Sequence, residues 1–215
     1  MDEIAEAELS GACRDGVVVD GSGAGGKRVV RAALLRKCCY ELKDQIDRRG
    51  LRLENAVVAG CLDLAGLAVP FPLRFAGCEF DSPLVAEGAE LFELSLTGCA
   101  SLPGLLGNGL RIRRDLDLSR CRIAGAHRTS ASTSRGAAIW LCESEIGGRL
   151  LCVDTVIDGQ GQRAIQGPAP YGRCDPPAAP VHFAGGNQVH RSPYRRLGRY
   201  DRGIHRVIGW PGCRS

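Results

Sequence analysis

Apolar residues recur through the middle of the chain with a period of about 11 residues. Nine similar segments each open on an apolar residue, and the gaps between openers are 11 residues, apart from one of 10 and one of 23. A second apolar residue usually follows two positions after the opener, a small residue at the fifth position and another apolar residue at the seventh. The openers are Leu51, Leu62, Leu73, Leu84, Leu94, Leu105, Leu116, Ile139 and Leu150.

Each of these segments, called repeats below, is predicted to form two short strands joined by a corner. With the opener as offset 0, offsets 0 and 2 share one face of a strand, and offsets 5 and 7 share a face of opposite parity. One straight strand would therefore point one of these pairs outward, so the chain must turn between them. A corner favours residues that reach positive φ, and offset 4 holds Asn55, Gly66, Gly77, Gly88, Gly98 and Gly109.

Two repeats make one four-sided coil of about 22 residues. The sequence thus predicts an all-β fold, a right-handed four-sided β-helix over residues 49–166, in which offset 7 points inward. The residues at offset 7 are Val58, Val69, Phe80, Leu91, Ser101, Ile112, Ile123, Ile146 and Ile157.

Two other repeating architectures fit less well. An 11-residue period is also typical of right-handed helical supercoils, but glycine recurs at offset 4 and four prolines lie inside the run, and both residues disfavour a helix. The prolines are Pro70, Pro72, Pro83 and Pro103. A left-handed hexapeptide solenoid requires a period of six, which this register does not show.

The segments before the repeats have a different pattern. Residues 1–26 are predicted to be flexible, and residues 27–48 to form an amphipathic helix, because apolar residues there recur every four positions. These residues are Val30, Leu34, Cys38, Leu42 and Ile46. Because the first coil would otherwise expose unpaired strand edges, the helix is expected to cap it.

Two segments interrupt or follow the repeats. Residues 124–136 are polar and occupy the place of a missing repeat, so they are predicted to form a loop. Residues 167–215 hold 7 of the 11 prolines and have no apolar period, which predicts a disordered tail. The tail carries eight arginines against Asp175 and Asp201, so the net charge of +4 belongs to the tail and not to the repeats.

Several stretches of the repeats carry a family resemblance. They are residues 62–66, 69–81, 102–105 and 116–119, which read LDLAG, VPFPLRFAGCEFD, LPGL and LDLS. Through them residues 28–166 resemble an uncharacterised actinobacterial family, similar to pentapeptide-repeat proteins and often labelled "oxidoreductase" or "membrane-associated oxidoreductase". The resemblance implies a coiled repeat fold and, through the label, redox activity, but it brings no catalytic or cofactor residue. Family members continue with further coils after Gln166, which implies that the tail is truncated or frameshifted.

A glycine-rich stretch before the predicted helix resembles two nucleotide-binding motifs. Residues 21–27, GSGAGGK, fit the spacing of a phosphate-binding P-loop, and Gly21, Gly23 and Gly26 fit that of a dinucleotide-binding turn. Arg28 stands where a P-loop has the hydroxyl residue that holds magnesium, and the element that follows the helix is a repeat, not the next strand of a parallel αβ sheet. We therefore interpret the stretch as a flexible linker and predict no cofactor.

The cysteines and the histidine nearest the repeats are interpreted as structural. Cys78, Cys99 and Cys121 occupy offset 5, the small inward position, and Cys38 and Cys39 lie on the predicted helix, one of them facing inward. His127 lies in the polar loop without an identifiable partner. No metal site and no catalytic residue is predicted.

A charged band lies on outward offsets of the later repeats. It comprises Arg111, Arg113, Arg114, Asp115, Asp117, Arg120 and Arg122. Its interleaved carboxylates favour a solvated face over a phosphate-binding patch. The tail, with Tyr194, Tyr200 and Trp210 among its arginines, keeps nonspecific nucleic-acid binding open as an alternative.

The sequence favours a non-enzymatic structural or protein-interaction solenoid whose partner is a protein bound on one of its faces. The alternative is an oxidoreductase, as the family label implies. The 11 cysteines form no CxxC pair, and the acidic start lacks the pattern of a secretory signal, which together predict a cytoplasmic setting. No apolar run is long enough to predict a membrane span.

Overall fold

The structure of the protein is a computed structural model that describes residues 2–124 and 138–158, together with the backbone of three short strands at 165–166, 181–182 and 189–191. The described part is mainly β, as predicted, with two α-helices and one short 3-10 helix. The helices are α1 (Glu6–Asp15), α2 (Ala32–Tyr40) and the 3-10 helix Lys43–Gln45.

The strands are short and most span two to four residues. They are β1 (Val19–Asp20), β2 (Ser22–Gly23), β3 (Gly26–Lys27), β4 (Val29–Arg31), β5 (Leu51–Glu54), β6 (Val57–Ala59), β7 (Leu62–Asp63), β8 (Ala68–Ala76), β9 (Glu79–Phe80), β10 (Leu84–Val85), β11 (Glu90–Thr97), β12 (Leu105–Leu106), β13 (Arg111–Ile112), β14 (Leu116–Asp117), β15 (Arg122–Ala124), β16 (Ile139–Trp140), β17 (Glu145–Ile146), β18 (Arg149–Leu151), β19 (Val156–Asp158), β20 (Ile165–Gln166), β21 (Val181–His182) and β22 (Val189–Arg191).

Strand pairing follows the predicted spacing of two repeats. In one series of parallel pairs Leu51 faces Leu73, Leu73 faces Leu94 and Leu94 faces Leu116, which are steps of 22, 21 and 22 residues. The next step, from Leu116 to Leu150, is longer because it contains residues 125–137, which lie outside the described part and include most of the predicted loop.

The pairs form four stacks of strands. Stack 1 contains β7, β10, β12, β16 and β20. Stack 2 contains the first halves of β8 and β11, followed by β13 and β17. Stack 3 contains β1, β5, the second halves of β8 and β11, β14 and β18. Stack 4 contains β4, β6, β9, β15 and β19, with single bridges through Ser101 and Leu102 between β9 and β15.

The corners follow the prediction at every repeat. All nine residues at offset 4 have positive φ, between 52° and 66°: Asn55, Gly66, Gly77, Gly88, Gly98, Gly109, Arg120, Glu143 and Asp154. In several corners the N–H at offset 5 donates to the carbonyl at offset 2, as from Leu67 to Leu64 at 3.0 Å. Positive φ at the third residue is what a type II turn requires.

The inward positions form the core, with one shift of register. Offsets 0 and 2 are buried in most repeats, and Ile146, Leu150 and Cys152 in the last ones are partly exposed. Ser101 was predicted to point inward, but it is exposed, and Leu102 is buried in its place with 1% exposure. Burying the larger apolar side chain outweighs keeping the regular spacing.

A second irregularity accounts for the shorter gap between Leu84 and Leu94. The pairing of β8 with β11 shifts register between Leu91 and Glu93, where β8 has the additional residue. Pro70 and Pro72 flank this bulge, a position where the missing N–H of proline breaks no regular ladder. Phe71 between them is 4% exposed.

The N-terminal region differs from its prediction. Residues 1–26 contain α1, β1 and a hairpin instead of a flexible segment, and β4 together with the short α2 replaces most of the helix predicted over 27–48. Val19 pairs with Leu53 and Val30 with Val58, so residues 17–31 occupy the place of one more repeat. Its period is hidden in the sequence because the hairpin β2–β3 is inserted at the corner.

Helix α2 lies against the start of the stacks, where strands would otherwise have a free edge. It contacts β7, the outermost strand of stack 1, and β8. The guanidinium of Arg36 donates to the carbonyl of Asp63 on β7 and lies 3.4 Å from its carboxylate. The helix and its arginine thereby satisfy an edge that no strand covers.

Two strands of the tail lie at the other end of the stacks. β22 pairs antiparallel with β18, and β21 pairs antiparallel with β19. The remaining residues of the predicted disordered tail lie outside the described part. In residues 2–124 and 138–158, no helix combines the length and the apolar character needed to cross a lipid bilayer.

Candidate functional site

The glycine-rich stretch at residues 21–27 forms a hairpin, and its last residue, Lys27, makes an ion pair with the repeats. The Lys27 ammonium donates to the carboxylate of Glu79 at 2.8 Å and to the carbonyl of Gly77 at 2.7 Å. β4 separates this lysine from the start of α2, whereas a P-loop leads directly into its helix. The Lys27 side chain is therefore bound to residues of the repeats. The stretch predicted to be a flexible linker is a structured hairpin.

Gly21 is required by packing, not by a ligand. A Cβ at this position would lie 2.6 Å from the Cβ of Ala56, closer than two nonbonded carbon atoms approach. The glycine lets the hairpin leave the corner beside the first regular repeat. This packing explains one glycine of the motif without a nucleotide.

The three cysteines at offset 5 lie inside the stacks, as predicted. Cys78, Cys99 and Cys121 are 0%, 0% and 2% exposed. Each thiol donates to a carbonyl two repeats earlier in the chain, for example from Cys78 to Leu53 at 3.5 Å. Burial raises the pKa of Cys78 to about 11, so this group remains a neutral thiol at ordinary pH.

Hydroxyl groups take the same role in the later repeats. Ser144 donates to the carbonyl of Gly107 at 2.7 Å, and Thr155 to that of Leu118 at 2.7 Å. A small side chain with a donor at offset 5 can thus bond the carbonyl at offset 2 of the neighbouring repeat in the stack. The offset 5 cysteines are packing and hydrogen-bonding residues in this arrangement.

A second group of cysteines lies between α1 and α2. Cys38 and Cys39 are both 2% exposed, although only one was predicted to face inward, and Cys13 of α1 is 1% exposed. Burial raises the pKa of Cys39 to about 12. The pKa of Cys13 is raised, mainly by a hydrogen bond with Cys38 and secondly by burial. Across residues 2–124 and 138–158, no group of three or more ligand side chains could hold a metal ion.

The predicted charged band is divided among separate corners and faces. Arg111 lies between Glu90 and Glu145, at 3.5 and 4.0 Å, beside an open depression of about 260 Å³. Asp115 pairs with Arg149 at 2.9 Å, and this hydrogen bond lowers the pKa of the aspartate.

The rest of the band is equally dispersed. Arg114 lies over the ring of Phe92 at 5.9 Å, and Arg120 occupies a corner with positive φ. The band therefore forms no single cationic surface. His127, Tyr194, Tyr200 and Trp210 lie outside the described residues.

The outer surface of stack 1 carries a column of apolar side chains that the inward offsets do not reveal. Val85, Leu106 and Trp140 pair in register on β10, β12 and β16, all at offset 1. The neighbouring offsets 0 and 2 point inward and are buried, so these three side chains point outward, where they are partly exposed. Reading offset 1 separately for alternate repeats would have revealed this apolar column.

Three exposed carboxylates lie on the segments just before or after β10 and β16, and together they are called the acidic rim: Asp81, Glu87 and Glu143. The segments around four of the five strands of stack 1, residues 59–66, 81–88, 102–109 and 138–143, contain no lysine or arginine. Asp63 on β7 is the register partner of Val85, and its carboxylate pairs with Arg36 of α2. The face is thus apolar in its centre and acidic at its border.

The other outward columns of the described part are different in character. Stack 2 presents Ala68, Glu90, Arg111 and Glu145 in register, and stack 3 presents Arg52, Arg74, Ser95, Asp117 and Leu151. Stack 4 presents two adjacent valines, Val29 and Val57, but Glu79, Ser101 and Arg122 follow them in its column before Val156. Single apolar residues are ordinary on a protein surface, whereas several in contact indicate an interaction site. Stack 1 is therefore the candidate functional surface.

Comparison with known proteins adds no relative: no protein-family model, no curated protein and no solved structure matches the chain.

Proposed function

We propose that residues 49–166 form a right-handed four-sided β-helix of the pentapeptide-repeat kind, and that the protein is a non-enzymatic scaffold that binds a protein partner on one face. The observation that supports this most is the parallel register, in which partner residues lie two repeats apart in all four stacks. Such a register places the same offset of successive coils in one straight column. A rigid column of equivalent side chains is a surface suited to recognition.

The charges of the described part support a scaffold held by its own side chains. Lys27, Arg28, Arg74, Arg111 and Arg149 each pair with a carboxylate of another segment, at distances from 2.7 to 3.5 Å. These pairs join neighbouring strands or fix the N-terminal region on the repeats. Their arrangement is that of structural cross-links between coils.

We also propose a cytoplasmic setting. Six cysteines of the described part are almost fully buried thiols outside any disulfide: Cys13, Cys38, Cys39, Cys78, Cys99 and Cys121. Free thiols persist in reducing compartments.

The alternative, an oxidoreductase, is tested on the purified full-length chain. Absorption spectra between 300 and 500 nm would show a co-purified flavin or reduced nicotinamide, and calorimetric titration would measure binding of FAD, FMN, NADH and NADPH. The scaffold account predicts no stoichiometric cofactor and no saturable binding. A cofactor bound one to one would overturn it in favour of redox chemistry.

A further inference from the structure

We propose that the outer surface of stack 1 binds a basic amphipathic helix of a partner protein, with the apolar column as the anchor and the acidic rim as the source of charge selection. This rests on the proposed function as a binding scaffold and assigns it a face and a class of partner. The apolar column is Val85, Leu106 and Trp140, and the acidic rim is Asp81, Glu87 and Glu143.

The first argument is spacing. Neighbouring strands in a stack lie about 4.8 Å apart, so Val85 and Trp140 at the two ends of the apolar column are separated by about 10 Å. An α-helix advances about 5.4 Å per turn, so side chains at i, i+4 and i+7 span about 10.5 Å along its axis. A helix lying along the stack can therefore place one apolar side chain against each residue of the apolar column.

The second argument is charge. Glu87 lies two residues after Val85 on the same outward side, and Glu143 lies at the corner after β16. Arg36 of α2, which contacts the strand at the start of stack 1, is already paired with Asp63. A helix with lysine or arginine beside its apolar stripe meets complementary carboxylates on this face.

The same charges disfavour other occupants. A second copy docking through the same face would bring two acidic rims together, because a two-fold interface is built from the same patch of both copies. Nucleic acid and anionic lipid both carry negative charge and would be repelled by this border. A basic helical segment is the occupant that satisfies both the apolar centre and the acidic border.

The test uses the full-length chain with Trp210 replaced by phenylalanine, so that Trp140 is the remaining tryptophan. The probe is a fluorescein-labelled 18-residue peptide with leucine once per turn in a lysine background. One comparison peptide has the same composition in scrambled order, and another has glutamate in place of lysine. Anisotropy measures affinity, and in unlabelled peptide titrations the emission of Trp140 reports contact with the apolar column.

We expect saturable binding of the lysine peptide, a blue shift of Trp140 emission, and much weaker binding of both comparison peptides. Leu106→Ser should weaken binding on the order of tenfold, as the loss of a central anchor does. The matched control is Val57→Ser, an outward, partly exposed valine on stack 4, which should change affinity by less than about twofold. Glu87→Lys with Glu143→Lys should weaken the lysine peptide and strengthen the glutamate peptide.

Three results would overturn the proposal. They are equal binding of the scrambled peptide, equal loss of affinity in Leu106→Ser and Val57→Ser, and a concentration-dependent dimer that Leu106→Ser dissociates, because the face would then bind a second copy. Circular dichroism of each variant separates loss of binding from loss of folding. None of these results bears on the cofactor titrations, so this proposal and the scaffold proposal fail independently.

Discussion

At the scale of single residues, the corners show which positions the backbone dictates. Positive φ at offset 4 follows from the opposite parity of the two strands in each repeat, and the sequence shows it wherever glycine or asparagine occupies that offset. The corners at Arg120, Glu143 and Asp154 have the same backbone with φ from 53° to 59°, but their side chains give no such signal. These corners are predictable only from the register of their neighbours.

Replacing Arg120 by glycine should stabilise the protein, because a side chain in the left-handed region costs about 1 kcal/mol that glycine avoids. We expect Arg120→Gly to raise the free energy of unfolding by about 0.5–1 kcal/mol in urea titrations. Arg113→Gly is the matched control, since Arg113 is also an exposed corner arginine but lacks positive φ. Equal effects of the two substitutions would contradict the backbone explanation.

The hydroxyl of Thr155 should contribute through its hydrogen bond to the Leu118 carbonyl. Thr155→Val keeps the size of the side chain and removes the donor, so we expect a loss of about 1 kcal/mol in the free energy of unfolding. Thr97→Val, at a partly exposed outward position, serves as the comparison and should change stability by less than about 0.5 kcal/mol. The interpretation of offset 5 as a donor position fails if both variants are equally stable.

At the scale of elements, the regular repeats are predictable and their interruptions are not. The period of the repeats predicts the strands and the spacing of their parallel partners, because each repeat must bury the same offsets. Residues 17–31 were missed as a repeat because the inserted hairpin separates Val19 from Val30 and destroys the period. The apolar column was missed because a search for the core examines inward offsets and treats offset 1 as solvent-facing.

The buried thiols inside the stacks should make stability depend on alkaline pH. The pKa of Cys78 in the folded protein is about 11, above the ordinary value of 9.0, because burial disfavours the thiolate. Its contribution is therefore fully present below pH 9 and is lost as the pH rises through the folded value. We expect Cys78→Ala to reduce the decline of unfolding free energy between pH 9 and 11, measured by urea titration. Identical declines in the two proteins would show that this thiol is not buried as described.

Two ion pairs connect helix α1 to α2 and to the residue before β4. Glu6 pairs with Lys37 at 2.8 Å, and Glu8 pairs with Arg28 at 2.7 Å. The hydrogen bond from Lys37 lowers the pKa of Glu6, and that from Arg28 lowers the pKa of Glu8. Because both carboxyl pKa values are lowered in the folded state, this stabilisation is present above pH 4.5 and is lost as the pH falls through the folded values.

Glu6→Gln with Glu8→Gln should therefore speed amide exchange in α1 at neutral pH. The increase, measured by hydrogen–deuterium exchange, should be confined to the N-terminal region and should shrink in high salt, which screens exposed ion pairs. Glu54→Gln, an exposed carboxylate on β5, is the control and should leave α1 unchanged. Unaltered exchange in the double variant would indicate that burial of Ile4 and Leu9 alone holds the helix.

At the scale of the whole molecule, four stacks of strands contain successive pairs of repeats, and the proposed β-helix requires these stacks to run side by side. The N-terminal helices lie at one end, the tail strands β21 and β22 lie at the other, and the apolar column lies on one outer surface between them. Position along the chain and position along the stacks are then related by a fixed step of two repeats. A probe pair far apart in sequence but in one column measures that step directly.

The most direct measurement is the distance between nitroxides at Val57 and Val156, attached through noncanonical residues so that native thiols remain unlabelled. These outward positions lie 99 residues apart in the chain but belong to stack 4, linked through Glu79, Ser101 and Arg122. Four strand spacings predict a narrow distribution near about 19 Å between the two backbones, widened by the label arms. A continuous helical supercoil would instead separate the two positions by about 150 Å. Any distance distribution centred beyond about 35 Å, far outside four strand spacings, would contradict the stacked coils.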